Sequence, residues 1–191
     1  MCIVNLREQI INAFALCVSN NCLEDICLQV FEVIDDQPNL PCRLLIDDQS
    51  SQFRIENPRE YLLHFIKIDN CILFTQDGSK CDFAVFNADE IIFVELKKIE
   101  ANTSSSHKKR KAKRNDAYAQ LENTLKVFES KNIDLSRYQK NQKLFAIASV
   151  LDYNPPVTRM PTAKASSQHK NLEFEIKYNA ILLTGHTYEF T

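Results

Sequence analysis

Glycine is almost absent. The 191 residues hold two, Gly78 and Gly185, so neither a Walker loop nor a glycine-rich dinucleotide fingerprint can be formed. No stretch approaches the ~18 consecutive apolar residues a membrane-spanning helix needs. The first residues, Met-Cys-Ile-Val-Asn-Leu-Arg-Glu, have neither the basic start nor the apolar segment of a secretory signal. The seven cysteines, at 2, 17, 22, 27, 42, 71 and 81, form no Cys-x-x-Cys pair and have no histidine at zinc-finger spacing. The spacing does not suggest a zinc finger, and the thiols are expected to be reduced, small hydrophobic fillers. A cytoplasmic location is the corresponding expectation. There is no internal repeat and no large charge excess. The net charge is −2, which by itself announces no polyanion partner.

What is there begins with composition. Hydrophobic residues at 45% and charged residues at 25% suit a globular chain with a core. The length fits a single compact unit. Residues 3–19, with Ile3, Leu6, Ile10, Phe14, Cys17 and Val18, follow a helical period. So do Leu23, Ile26, Cys27, Val30, Phe31 and Ile34, which predicts an N-terminal helical pair over 1–36 packed on a main domain of 37–191. Arg43-Leu44-Leu45-Ile46 fits strand or loop. Asn57-Pro58-Arg59-Glu60 has the capping pattern of a helix start, with Tyr61, Leu62, Phe65 and Ile66 as its buried face.

Strands are expected at 70–75, 80–87, 91–98 and 143–151, with edge strands at 172–178 and 180–184. A helix is expected from Asp116, with Ala117, Leu121, Leu125 and Phe128 as its apolar stripe. The stretch before it, from Thr103 to Ser106, has the composition of a linker or of the start of a long helix. The fold class is thus mixed α/β, a central mixed sheet flanked by helices.

Strands 80–87 and 91–98 form a hairpin apolar on both faces. Ala84, Phe86, Ile91 and Phe93 lie on one, and Phe83, Val85, Ile92, Val94 and Leu96 on the other. A sheet covered on both sides is a central one. Pairing Phe86 with Ile91 brings Asp82 opposite Glu95, and alternation puts Lys97 on the face of Glu95. Opposed residues have Cβ atoms about 5 Å apart, where like charges repel. Two opposed acids call for a cation, and hard carboxylate oxygens suit Mg²⁺ or Mn²⁺. With Lys97 beside such an ion, a water could be activated and developing phosphorane charge neutralised.

A strand bearing Asp in Lys80-Cys81-Asp82-Phe83, then a strand bearing Glu95-Leu96-Lys97, a helix and a further strand, resembles the PD-(D/E)xK nuclease core, the restriction-endonuclease-like fold. The resemblance spans about residues 58–151. It implies a metal-dependent nuclease, foremost a DNA endonuclease. Asp82, Glu95 and the Leu96 backbone carbonyl would bind Mg²⁺ or Mn²⁺, and Lys97 would act on the water or transition state. It also implies a polar residue from the following helix, for which Gln120 is placed, and in many members an acid from the first core helix, for which Glu60 is the candidate. For Glu60 the capping box is an equal explanation. The family's proline before the aspartate is Cys81 here. Thr124 stands where the exonuclease-like members carry tyrosine four residues after their glutamine.

Lys108, Lys109, Arg110, Lys111, Lys113 and Arg114 place six positive charges within seven positions, leaving the remainder at −8. Lys98, beside Lys97 but on the opposite face, joins them as a candidate phosphate contact. Such a segment can be a solvated charge run, a localisation signal or a clamp on a nucleic-acid backbone. The expected partner is nucleic acid, DNA before RNA, without a membrane. A homodimer or partner subunit is left open. The alternative is a nuclease-fold protein without chemistry, serving as a binding module.

Overall fold

The computed structural model describes residues 5–45, 51–99, 106–152, 164–165 and 168–191. It is a mixed α/β structure built from two sheets. Helices α1 (Leu6–Ala13) and α2 (Leu16–Ser19) open the chain and precede strands β1 (Leu23–Ile26), β2 (Val30–Ile34), β3 (Arg43–Leu45), β4 (Phe53–Glu56) and β5 (Leu63–Lys67). The hairpin strands are β6 (Phe83–Phe86) and β7 (Ile91–Ile99). Helices α3 (Ser106–Ser130) and α4 (Ser136–Lys140), β8 (Leu144–Asp152), β9 (Lys164–Ala165), α5 (Gln168–Tyr178), β10 (Ile181–Thr184) and β11 (Thr187–Glu189) complete it.

The larger sheet has seven strands in the order β1-β5-β6-β7-β8-β10-β9, and the smaller has four in the order β11-β4-β2-β3. In the larger sheet β1, β5, β6 and β7 run antiparallel to their neighbours, whereas β7, β8 and β10 are parallel. Helix α3 is the crossover between β7 and β8, so it starts near the C-terminal end of β7 and runs back along the sheet.

The hairpin is central, as its two apolar faces require. Ala84, Phe86, Ile91 and Phe93 pack with Ala117, Leu121, Leu125 and Phe128 of α3. Phe83, Val85, Ile92, Val94 and Leu96 pack instead on Phe31, Val33, Phe53 and Ile55 of the smaller sheet. Phe93 meets Phe128 edge-on at 5.1 Å, and Phe53 meets Phe83 at 5.8 Å, the perpendicular geometry aromatic quadrupoles favour.

Several sequence expectations fail for identifiable reasons. In place of the second N-terminal helix are two strands, β1 and β2, which join different sheets. Its apolar positions fit both periods, but Val30, Val33 and Ile34 are β-branched, and Phe31 and Val33 bury while Val30 stays exposed. The capping pattern at Asn57 belongs to a turn. The Asn57 side chain accepts from Tyr61 N–H at 3.0 Å, its amide donates to Leu28 and Tyr61 carbonyls, and Glu60 is left-handed at φ 51°. That backbone cannot continue a helix.

Residues 70–75 are turns leading into a 3₁₀ turn at Thr75–Asp77, not a strand. Residues 172–178 belong to α5, in which Phe174 and Tyr178 bury one turn apart while Leu172 and Ile176 stay exposed. Of the two openings considered for 103–106, the long helix holds at Ser106, and residues 103–105 lie outside the described part, as does Ile46.

The reduced-thiol expectation is corrected as well. Cys22 and Cys71 are disulfide-bonded, joining the start of β1 to the turn after β5 across a sequence separation of 49. Such a crosslink typically adds about 2–4 kcal/mol, and it removes one support from the cytoplasmic expectation. Cys17, Cys42 and Cys81 are buried free thiols. No helix among the described residues is long and apolar enough to cross a membrane.

Candidate active site

The hairpin register counted from the sequence holds from Phe86↔Ile91 to Phe83↔Val94. One residue further the ladder stops, because the chain bends at Asp82. Its N–H donates to the Val94 carbonyl at 3.1 Å, and its carbonyl accepts from Ile68 N–H at 2.8 Å and Asp69 N–H at 3.3 Å. The side chain takes over where the backbone leaves, as Asp82 Oδ2 accepts the Leu96 N–H at 2.6 Å. In an extended strand the N–H and C=O of one residue leave by the same edge. The Leu96 carbonyl is therefore also turned toward the Asp82 edge.

Glu95, on β7 and next to Asp82, pairs across the parallel ladder with Ala148. It is 0% exposed. Lys97, two residues along on the same face, forms an ion pair with Glu95 Oε1. Neither Glu95 oxygen receives a well-aligned hydrogen bond.

Burial, then the nearby Asp82, raises the Glu95 carboxyl well above the usual carboxylate range against the pull of Lys97. Burial likewise lifts Asp82 to about 7, opposed by the Leu96 N–H and Lys97 and assisted by Asp35 and Asp69. Burial disfavours the Lys97 charge, but Glu95, Asp82 and Asp116 outweigh it, and the ammonium is held above its ordinary value. Two carboxylates and one ammonium thus share a poorly solvated corner, with carboxyl protons retained to higher pH than usual.

Helix α3 fixes the segment leading into Asp82. Asn123 Nδ2 donates to the carbonyls of Asp77 at 3.1 Å and Ser79 at 2.6 Å. Gln120 Nε2 donates to the Lys80 carbonyl at 2.9 Å. The buried Thr124 hydroxyl accepts from Cys81 N–H at 2.8 Å and donates to the Gln120 carbonyl at 2.9 Å. Gln120 therefore reaches the rim of the site, but its amide holds backbone two residues before Asp82.

Glu60 does not reach it. It sits in the β4–β5 turn, bonded to Gln29 at 2.8 Å. That turn leads into the end of β5 that pairs with Phe86, whereas Lys67, at the other end, pairs with Phe83 beside Asp82. Its expected place on a helix does not exist. Lys98 points to the other face, as its neighbour relation to Lys97 requires, and donates to the Asp35 carbonyl at 3.3 Å. Lys108 to Lys111, Lys113 and Arg114 lie exposed on the first turns of α3.

Sequence reasoning missed Asp69, Lys80, Asp35, Asp116 and Thr124. Asp69 follows β5 immediately, its N–H on the Asp82 carbonyl, and its carboxylate pairs with the nearly buried Lys80 at 3.2 Å. Reading 63–67 as a strand would have exposed it as the cross-strand neighbour of Asp82. The Thr124 signal was a polar residue on the otherwise apolar stripe of α3.

Among the described residues no group of three or more His, Cys, Asp or Glu is arranged to hold a metal ion. Two adjacent carboxylates do fit a hard divalent cation that keeps several waters. The fit rests on the buried Glu95 carboxyl, whose Oε1 meets the Lys97 ammonium and whose Oε2 has no hydrogen-bond partner. Comparison of the chain with protein-family models, with curated proteins and with solved structures returns no match.

Proposed function

We propose that this chain is a metal-dependent nuclease of the PD-(D/E)xK type, a DNA endonuclease that hydrolyses phosphodiester bonds. The observation that carries this is the Glu95 carboxylate, fully buried and lacking aligned hydrogen bonds, beside Asp82 and against Lys97. A purely structural buried carboxylate would be expected to have its lone pairs satisfied, because leaving them bare costs several kcal/mol. The order β5, β6 with Asp82, β7 with Glu95-Leu96-Lys97, α3 and a β8 parallel to β7 also supports a restriction-endonuclease-like core.

Asp82, Glu95 and the Leu96 carbonyl would hold Mg²⁺ or Mn²⁺. When bound, such an ion polarises a phosphoryl oxygen and lowers the pKa of a coordinated water. Lys97, its side chain 20% exposed, keeps its ammonium at the open side of the two acids. There it can hold an attacking water or offset charge on the phosphorane. The Leu96 N–H fixes one Asp82 oxygen, so the carboxylate is oriented before substrate arrives. Gln120 and Thr124 act as positioning residues by clamping residues 80 and 81 to α3.

The test is cleavage of plasmid DNA and of a labelled RNA by the purified chain in Mg²⁺ or Mn²⁺, with Glu95→Gln and Lys97→Ala beside it. Cleavage by the wild type and at least a hundredfold loss in either variant is expected. No cleavage of any nucleic acid, or a Glu95→Gln protein as active as wild type, overturns the proposal.

A further inference from the structure

The basic run is part of a helix, and its charge is distributed in an unusual way. Successive helical residues turn by about 100°, which puts Lys108, Lys109, Arg110, Lys111, Lys113 and Arg114 at about 0, 100, 200, 300, 140 and 240°. No arc wider than about 100° is without a cation. Residues 108–116 are all exposed, and the first buried position of α3 after residue 107 is Ala117. These exposed turns therefore form a rod with positive charge on every side.

That arrangement has a local cost. Like charges three and four apart, such as Lys109 with Lys113 and Arg110 with Arg114, each destabilise a helix by about 0.2–0.5 kcal/mol, and cations near a helix N-terminus oppose its dipole. Five of the six cations, Lys108, Lys109, Lys111, Lys113 and Arg114, form no ion pair among the described residues. An external polyanion would offset the cost.

The chemistry of the rod narrows which polyanion. A membrane surface wants an amphipathic helix with an apolar face, and here Ala112 is the one apolar residue between 108 and 116. Single strands are gripped by aromatic side chains on which bases stack, and the first aromatic residue of α3, after residue 107, is the buried Tyr118. A-form RNA has a major groove too deep and narrow for side chains to read. The major groove of B-DNA is about 12 Å wide, close to the 10–12 Å diameter of a helix with its side chains. It also has phosphates on both walls, which is what charge on all sides requires.

The geometry points to the first turns of α3 as an arm that seats in the major groove of duplex DNA. The arm lies between the C-terminal end of β7 and Asp116, which is close enough to Lys97 to act on its charge. Arg114 and Lys108 stand about 9 and 18 Å from Gln120 along the axis. A strand bordering that groove is thereby brought to Asp82, Glu95 and Lys97. This last clause rests on the proposed nuclease activity, whereas the seating of the arm does not.

Binding without cleavage separates the two. Glu95→Gln protein in EDTA is titrated, by fluorescence anisotropy at several salt concentrations, against 24-base-pair duplex DNA, the same duplex as RNA and its single strand. Co-sedimentation with phosphatidylserine vesicles is the membrane arm. Duplex DNA is expected to bind tightest, with a slope of log K on log salt near −5, or about a thousandfold weakening between 50 and 200 mM. Bound protein should protect guanine N7, a major-groove atom, from methylation. Replacing Lys108, Lys109, Lys111 and Lys113 by Gln, all exposed, should flatten the slope by about 3–4 and abolish that protection.

Equal or tighter binding of RNA duplex, single strand or vesicles overturns the inference. So does an unchanged slope in the quadruple variant, or unprotected N7 under bound protein. DNA binding with N7 protection but no cleavage by the wild type sustains the arm and removes the nuclease.

Discussion

Replacing Asp82 by Asn should stabilise the metal-free protein, increasingly so as pH rises. Asp82 is 6% exposed, and its carboxyl is lifted from 3.8 to about 7, chiefly by burial. Below 3.8 the group is protonated in folded and unfolded chains alike and has no effect. Between 3.8 and 7 the unfolded chain releases the proton while the folded one keeps it, so stability falls as pH rises. Above 7 both are ionised and the full cost applies. At 1.36 kcal/mol per unit, that ceiling is about 4 kcal/mol, of which about 3 accumulates between pH 5 and 8. Asn removes the titration yet keeps an amide oxygen to accept the Leu96 N–H. For a chain of this size 1 kcal/mol shifts Tm by about 2–4 °C, so the gap between variant and wild type should widen by roughly 6–12 °C over that range. Thermal melts in EDTA at pH 5, 6, 7 and 8 measure it. A gap that stays constant with pH would refute the claim that the fold holds Asp82 against its ionisation.

Thr124→Val keeps the shape of the side chain but leaves the Cys81 N–H buried without its acceptor. Chemical denaturation should show a loss of about 1–3 kcal/mol, and cleavage should fall through kcat while KM holds; a change confined to stability would remove the positioning role. Glu60→Gln should cleave like wild type, because its turn lies at the far end of β5 from Asp82. A loss beyond about tenfold would restore Glu60 to the site.

The core of the site was legible because the hairpin is the most constrained part of the chain. Two apolar faces left one register, and that register put Asp82 and Glu95 together with Lys97 alongside. What it could not show is that Asp82 bends out of the ladder and that its side chain replaces the backbone at Leu96. Glu60 and Asp69 were exchanged for a single reason. Asn57-Pro58 serves a turn as well as a helix start, and a helical reading of 63–67 hides the continuation of that strand into Asp69.

At residues 172–178 the alternating pattern hid the buried Phe174–Tyr178 pair one turn apart. The Cys22–Cys71 bond depends on bringing β1 beside β5, a long-range pairing that spacing cannot supply. Basic residues 108–114 were visible as charge, but whether they lay on a linker or a helix decided their meaning, and composition allowed both.

The central claim is that Asp82 and Glu95 together hold a divalent cation, and calorimetric titration with Mn²⁺ at pH 8 tests it without needing a substrate. Wild type should take up the ion saturably, and both Asp82→Asn and Glu95→Gln, folded by circular dichroism, should lose that uptake. A folded wild type that binds no Mn²⁺, or a Glu95→Gln protein that binds it equally well, would contradict the claim.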